Sequence, residues 1–230
     1  MVLSGAGISA ESGIKTFRDS GGLWEGHNVM EVASPEGWRR NRALVQDFYN
    51  QRRKQASECQ PNKAHMILAE LEQHYEVTII TQNVDSLHER AGSTTVIHLH
   101  GELSKAQSSV DSSLVYDLDH WEIKEGDLCE KGSQMRPHIV WFGEQVPKME
   151  QAIEVVSKAE IFLVIGTSLQ VYPAAGLIEY VPDNAVIYLI DPNVTRVNTN
   201  KKVFYIDKKA TEGMVSLKNF LLNEIKFLSE

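Results

Sequence analysis

The feature that most restricts this chain is a set of short, continuous apolar runs, rich in β-branched residues, that each stop at small or polar residues. Val77-Thr78-Ile79-Ile80 runs into Thr81-Gln82-Asn83, and Ile161-Phe162-Leu163-Val164-Ile165 runs into Gly166-Thr167-Ser168. Ala185-Val186-Ile187-Tyr188-Leu189-Ile190 runs into Asp191-Pro192-Asn193, and Val203-Phe204-Tyr205-Ile206 is a shorter example. Apolar runs without polar alternation belong to strands buried on both faces, as in a parallel sheet. Helical patterns lie between them, at about 35–57, 62–75, 84–91, 148–159 and 211–228. Ser34 is placed to cap the first of these with Pro35 at its first position, and Gly92 stands just past the end of the third. Strands alternating with helices predict an α/β fold, a Rossmann-like doubly wound parallel sheet, with ligands beyond the C-terminal strand ends.

Two stretches break this rhythm. Residues 18–75 hold a loop and helices but no strand pattern, and residues 102–138 are polar and irregular. Both read as insertions that form a smaller lobe within one domain spanning 1–230. The large lobe takes about 1–30, 76–102 and 139–230; the small lobe takes about 31–75, which is helical, and 103–138. The first strand reads as a stub, Val2-Leu3. With 230 residues, 42% hydrophobic and 23% charged, the chain can bury a substantial core. A net charge of −8 offers no phosphate-tracking surface, so nucleic acid is not an expected partner. No apolar run approaches the roughly 20 residues of a membrane span, and no basic-then-apolar leader is present. Two cysteines, Cys59 and Cys129, cannot build a disulfide framework. The expectation is a cytoplasmic protein without membrane association, and the compact acidic chain is compatible with a monomer.

Val2-Leu3-Ser4-Gly5-Ala6-Gly7-Ile8-Ser9-Ala10 is a strand end followed by Gly-x-Gly-x-x-Ala, a turn whose glycines let backbone approach a pyrophosphate. A plain dehydrogenase needs a second strand ending in Asp or Glu about 20 residues on. Gly21-Gly22-Leu23-Trp24-Glu25 stands there instead. The longer string decides between these readings. Gly5 to Ile14, then Thr16-Phe17-Arg18 and Gly22-Leu23-Trp24, resembles the cofactor loop of the sirtuins, NAD-dependent lysine deacylases. The likeness continues in Thr81-Gln82-Asn83-Val84-Asp85-Ser86-Leu87-His88 and His98-Leu99-His100-Gly101-Glu102-Leu103. Pro137-His138-Ile139-Val140-Trp141-Phe142-Gly143-Glu144 and Gly166-Thr167-Ser168-Leu169 complete it, in family order over nearly the whole chain.

The resemblance implies transfer of a lysine's acyl group to the ADP-ribose of NAD, with release of nicotinamide. It makes His100 the base on the ribose hydroxyls, a role suited to a group with a pKa near 6.5. Asn83 and Asp85 complete the catalytic set, and with Gln82 and His100 they hold the nicotinamide ribose and carboxamide. His98 shares the strand face of His100 at spacing two, so an HxH metal pair stands beside the base reading, without a recognisable third ligand. Gly5, Ala6, Gly7, Ile8, Ser9 and Glu11 form the implied phosphate loop. Thr16, Phe17, Arg18 and Trp24 belong to the segment covering the cofactor, where Phe17 shields the reacting centre from water. Gly166, Thr167 and Ser168 are expected at the phosphates and ribose, Asp191 and Asn193 near the adenine ribose, and Ala210 near the adenine. Val140, Phe142, Gly143 and Glu144 match the segment that receives an extended peptide carrying acylated lysine.

Tyr49 and Arg52 stand three apart on one helix face and resemble the Tyr-x-x-Arg pair of bacterial-type class III sirtuins, which prefer malonyl, succinyl or glutaryl lysine. A guanidinium takes a distal carboxylate bidentately, and an acetyl group, which leaves those donors unpaired, is expected to bind less well. On spacing alone the run Arg52-Arg53-Lys54 also fits an exposed basic helix face. One departure is plain: most sirtuins carry four zinc-binding cysteines in the segment that here runs over 102–138, and only Cys129 lies there. Cys129 with His120 or His138 matches no zinc spacing, so no zinc is expected. The segment is then expected to be held by packing of Leu114, Val115, Tyr116, Leu118, Trp121, Ile123 and Leu128. Two rivals stay open: NAD-dependent ADP-ribosyl transfer, and a catalytically idle NAD or ADP-ribose sensor.

Overall fold

A computed structural model describes residues 1–15, 23–193 and 196–228. In chain order the elements are β1 (Val2–Ser4), α1 (Ala6–Ala10), β2 (Leu23–Trp24), β3 (His27–Asn28), α2 (Val29–Val32), α3 (Pro35–Arg40), α4 (Arg42–Glu58) and α5 (Lys63–Leu71). There follow β4 (Ile79–Thr81), α6 (Leu87–Arg90), β5 (Val96–His98), β6 (Gly101–Ser108), β7 (Val115–Asp117), β8 (Met135–Ile139) and α7 (Met149–Val156). The chain ends with β9 (Ile161–Ile165), a 3-10 helix (Ala174–Tyr180), β10 (Val186–Ile190), β11 (Val203–Ile206) and α8 (Ala210–Leu228).

The apolar runs pair side by side in one six-stranded sheet, ordered β11-β10-β9-β1-β4-β5, and every pairing is parallel. Alternate residues of each run feed opposite faces. Val2, Ile79, Leu163 and Tyr188 join α1, α5 and α8 in one core, through Ile8, Leu68 and Met214 among others. Leu3, Ile80, Val164 and Leu189 join α7 and the 3-10 helix in the other, through Val156 and Leu177. With both faces covered, no polar alternation survives, and the sheet is doubly wound as the sequence predicts.

Three differences from the sequence expectation have local causes. The helix expected over 35–57 is broken at Asn41, which ends α3 and caps α4 by accepting the Leu44 N–H at 3.1 Å. The helix expected from residue 84 begins at Leu87, because the Asp85 carboxylate takes the Leu87 N–H at 3.1 Å and leaves 82–86 outside the helix. The polar stretch expected to be irregular forms an antiparallel sheet, ordered β7-β6-β8, and Trp24 and His27 pair in a small hairpin of β2 and β3.

A third core joins the two insertions. Val32, Trp38, Val45, Phe48 and Tyr49 from the helical one pack on Leu103, Ile139 and Trp141 from the other side. Polar links from α4 reinforce it. Asn50 accepts the Ile123 N–H at 3.0 Å and donates to the Ile123 carbonyl at 2.9 Å. Gln46 donates to the same carbonyl, and Arg53 donates to the carbonyls of Leu103 and Trp121. Of the side chains expected to hold this segment by packing, only Ile123 is fully buried; Val115, Trp121 and Leu128 are exposed. Hydrogen bonds from one helix therefore do most of what packing was expected to do. At the far end, the Cys129 thiol meets the hydroxyls of Ser108 and Ser133 at 3.3 and 3.1 Å, which hold its pKa down to about 7. Among the described residues, no group of three His, Cys, Asp or Glu is placed to hold a metal ion, and no helix is long and apolar enough to cross a membrane.

Removing the Asn50 amide strands the buried Ile123 N–H, leaves its carbonyl to Gln46 alone and takes an acceptor from Arg53. Asn50→Ala is expected to lower stability by about 2–3 kcal/mol, read from urea unfolding, and to raise proteolytic cleavage within 109–134 more than elsewhere.

Candidate active site

β1 lies between β9 on one side and β4 on the other, so the strand order reverses at its C-terminal end. Such a reversal is where open α/β sheets bind ligands, beyond the C-terminal strand ends. The loops meeting there approach closely. Gly5 N–H donates to the Ile165 carbonyl at 3.0 Å, and Gly7 N–H to the Gly166 carbonyl at 2.8 Å. A Cβ on Gly5 would stand 2.7 Å from Thr167 Cβ, and one on Gly7 would stand 2.7 Å from Gly166 Cα. These glycines are thus needed first by the protein's own backbone, which crosses them, as well as by any phosphate that approaches.

Behind them Ser9 organises two polar side chains. Asn83 Nδ2 donates to Ser9 Oγ and to the Gly5 carbonyl, each at 3.1 Å, and Ser9 Oγ donates to Asp85 Oδ2 at 3.1 Å. All three are buried. Burial raises the Asp85 pKa, against the hydrogen bonds from Leu87 and Ser9 that favour the carboxylate. Gln82 ties three elements together. Its N–H donates to the Ser4 carbonyl at 2.9 Å, and its side-chain amide donates to Thr167 Oγ1 at 3.1 Å. Its carbonyl lies 3.1 Å from His100 Nδ1.

A carbonyl can only accept, so His100 Nδ1 carries the hydrogen and Nε2 is left with a lone pair. Burial lowers the His100 pKa below 6.5, opposed by the Gln82 hydrogen bond, so the neutral ring persists to lower pH. His98 differs in every respect. Its Nδ1 lies 3.1 Å from the Asn83 carbonyl and its Nε2 lies 2.6 Å from Glu89 Oε1. Both ring nitrogens face acceptors, which calls for the doubly protonated ring; burial opposes that charge, but Glu89 raises the pKa above 6.5. His98 thereby pins the Asn83 backbone, and its nitrogens are committed away from metal ligation.

The other expected residues fall in three groups. Gly166, Thr167 and Ser168 follow β9 and pack against the glycine loop, with Ala6 and Ile8 in the α1 that follows it. Asp191 is buried just past β10, with its Oδ1 accepting the Asn193 N–H at 2.8 Å, while Asn193 is exposed. Ala210 is buried at the start of α8, and Glu11 ties the glycine loop to that start by accepting from Thr211 N–H and Oγ1 at 3.0 and 2.8 Å. Thr16, Phe17 and Arg18 lie outside the described residues.

Trp24, expected with the cofactor segment, lies on the β2–β3 hairpin. Its ring packs edge-on to Phe48 and Tyr49, with the Arg52 guanidinium 4.4 Å from its centre. Nor are Arg52 and Arg53 an exposed basic face: they are 8% and 5% exposed. Arg53 links the insertions through Nε and Nη1, and only its Nη2 lacks a partner among the described residues. Arg52 makes no such link, since its Nε and Nη1 both have no hydrogen-bond partner among the described residues. Burial lowers the Arg52 pKa, while Tyr49, Glu25 and Asp85 support its charge. Tyr49 is fully buried; its oxygen accepts from Trp141 Nε1 at 3.1 Å, leaving its own hydrogen to donate. Burial raises the phenol pKa, so that hydrogen is retained.

Val140 to Glu144 follow β8. The Val140 N–H donates to the His100 carbonyl at 2.9 Å and the Phe142 N–H to the Ala33 carbonyl at 3.0 Å. Glu144 accepts two hydrogen bonds from Arg136 at 2.9 and 3.1 Å and one from the Trp141 N–H at 2.8 Å. Its carboxylate therefore fixes the turn from within. Trp141 is buried core, whereas Phe142 and Gly143 are exposed beside it.

A strand-order reversal, with a histidine of fixed tautomer and a buried Asn–Ser–Asp cluster beside it, is the arrangement of a nucleotide-binding enzyme on a Rossmann-like sheet. Comparison identifies the family. A model of the Sir2 family matches residues 5–173, and the chain belongs to that family. A Bacteroides thetaiotaomicron protein named NAD-dependent protein deacylase is 54% identical over 96% of this chain and 97% of its own. A Helicobacter pylori protein of the same name is 56% identical over 94% and 92%. Among solved structures, a complex of a Sir2 homologue with NAD superposes with a TM-score of 0.88 at 38% identity, covering 97% of this chain and 89% of that one.

If His100 is the base that the resemblance implies, the protonated ring is the inactive form. Because its pKa lies below 6.5, kcat/KM is expected to stay flat down to that pH and to fall tenfold per pH unit only further into the acid range. His100→Tyr is expected to lose at least about 100-fold in turnover while NAD still binds by calorimetry.

Proposed function

We propose that this Sir2-family enzyme is an NAD-dependent protein-lysine deacylase that prefers succinyl, malonyl and glutaryl lysine over acetyl lysine. The observation that carries the acyl preference is Arg52: a buried guanidinium with Nε and Nη1 unpaired, one helical turn from a buried phenol whose hydrogen is free to donate. A buried cation with open donors is costly unless a ligand completes it. A carboxylate at the end of a three- to five-carbon acyl chain does so, accepting from the Arg52 guanidinium and from Tyr49. The methyl of an acetyl group does neither.

NAD supplies the ADP-ribosyl acceptor for the acyl group and nicotinamide as the leaving group. The glycine loop, Gly166 to Ser168 and the Asp191 turn stand at the C-terminal strand ends, the place suited to its phosphates and riboses. Fit is supported by the polar cluster of Ser9, Asn83 and Asp85 buried below the loop. Asn83 and Asp85, locked through Ser9, present fixed polar edges to the ribose and carboxamide. His100 Nε2 accepts a proton from a ribose hydroxyl, and the Gln82 carbonyl stabilises the ring as it becomes charged. The acylated peptide lies along Val140 to Gly143, with its lysine passing between this segment and α4. We read the protein as a cytoplasmic monomer acting on acylated lysines of other proteins; its two free cysteines suit a reducing compartment.

The test compares kcat/KM on one lysine peptide in acetyl, malonyl, succinyl and glutaryl forms. The acidic forms are expected to lead, and Arg52→Met to reduce their lead by roughly 10- to 100-fold. Equal or better acetyl removal by the unaltered enzyme would sink the acyl assignment and keep the deacylase. Retained NAD binding with no turnover on any form would sink both.

A further inference from the structure

Arg52 has one charged neighbour that the acyl reading leaves unexplained. Glu25 Oε1 lies 3.8 Å from Arg52 Nη1, close enough to pair electrostatically but too far to hydrogen-bond. Both atoms are buried, and both lack a hydrogen-bond partner among the described residues. The other carboxylate oxygen, Oε2, accepts from Lys15 Nζ at 2.9 Å. Lys15 is exposed, so it draws the carboxylate outward while Arg52 draws it inward.

The backbone holds Glu25 in this position at a cost. It lies between Trp24 and His27, which pair across the β2–β3 hairpin, and it has φ +50° next to Gly26 at +83°. Two consecutive positive φ values mark the tight two-residue turn that Asn-Gly or Asp-Gly occupies best, and a long acidic side chain gains nothing from it locally. The same hairpin lays Trp24 over the guanidinium. Trp24 and Glu25 thus reach Arg52 together, one as an aromatic face and the other as a counter-charge.

We propose that Glu25 is the resident counter-ion of Arg52 and a specificity-determining residue of the acyl site, with Lys15 setting how far it withdraws. This rests on the acyl reading above. When the acyl group is neutral, Glu25 compensates the buried guanidinium, so acetyl lysine does not meet a bare cation. When the acyl group carries a carboxylate, that group takes the open donors of Arg52, and Glu25 shifts toward Lys15. Glu25 therefore widens the acyl range: it eases acetyl substrates and taxes acidic ones by like-charge repulsion.

The test measures the ratio of succinyl to acetyl kcat/KM in variants at both ends of the relay. Glu25→Asn removes the charge and keeps a residue at ease with positive φ; it is expected to raise the ratio about 3- to 10-fold. Lys15→Met frees Glu25 to move inward and is expected to lower the ratio about 3-fold. In the double variant the Lys15 effect should vanish, because no carboxylate remains to be released. Opposite shifts from neighbouring positions cannot come from general damage to the hairpin. If both single variants shift the ratio the same way, or neither shifts it, the role of Glu25 is wrong even where Arg52→Met abolishes the acidic preference. An unaltered enzyme with no acidic preference would overturn the acyl reading itself, and this inference with it.

Discussion

The close crossing of backbone at the ends of β1 and β9 is the constraint on which the rest of the site depends. Gly7 N–H and the Gly166 carbonyl meet at 2.8 Å, with no room for a Cβ on either Gly5 or Gly7. That contact fixes where α1 begins, and α1 carries Ser9, whose hydroxyl holds both Asn83 and Asp85. Gln82 then fastens the β4 end to Ser4 and Thr167 and offers its carbonyl to His100. The tautomer of the histidine is therefore set, through four short links, by two residues without side chains. A Cβ at either glycine would do more than crowd a ligand: it would part the strand ends and loosen every polar group behind them.

Helix α4 is the second organising element, because it divides its polar residues between two faces. Gln46, Asn50 and Arg53 follow one another at spacings of four and three and bind the backbone near Ile123. Tyr49 and Arg52, at spacing three, turn to Trp141 and to the β2–β3 hairpin. Neighbouring arginines thus do opposite work. Arg53 spends Nε and Nη1 on main-chain carbonyls and on Asn50, leaving only Nη2 without a partner among the described residues, while Arg52 keeps both Nε and Nη1 unspent. The segment where most relatives in the sirtuin resemblance carry zinc ligands is held by the first face, so loss of those ligands need not slacken the second.

Much of this was legible in the sequence, for physical reasons that differ from element to element. The apolar runs of the sheet are visible because double burial removes all polar alternation. Residues 82–85 are visible because strand ends in such a sheet are where polar residues have work to do, whereas His100 is marked by the family resemblance. The α3–α4 break is hidden because Asn41 acts through a cap, one side chain in an otherwise helical pattern. The antiparallel sheet at 101–139 is hidden because one of its faces meets solvent and its strands carry Ser, Lys and Gln, so no apolar run marks it. Trp24 reads as part of a cofactor motif, but its place beside Arg52 is set by a hairpin of two-residue strands, too short to leave a pattern. Only Glu25-Gly26 carries a signal there, as a turn pair, and nothing in the pair says what the glutamate faces.

The two charges at that hairpin also show why a specificity site need not be neutralised in its resting state. A complete Glu25–Arg52 salt bridge would satisfy both buried groups and shut out an incoming carboxylate, since breaking it would strand two charges at once. A lone Arg52 would leave a cation in an aromatic cage of Trp24 and Phe48, tolerable only with an anionic ligand present. The observed separation of 3.8 Å lies between these extremes. Coulomb attraction without a hydrogen bond lowers the cost of burying Arg52 while leaving its directional donors open. Because Coulomb energy falls slowly with distance and hydrogen-bond energy falls steeply, a counter-ion set back by about one ångström can supply the first and withhold the second. The pull of Lys15 on the outer oxygen is what keeps it set back, so the selectivity of a buried arginine is governed from an exposed lysine at the surface.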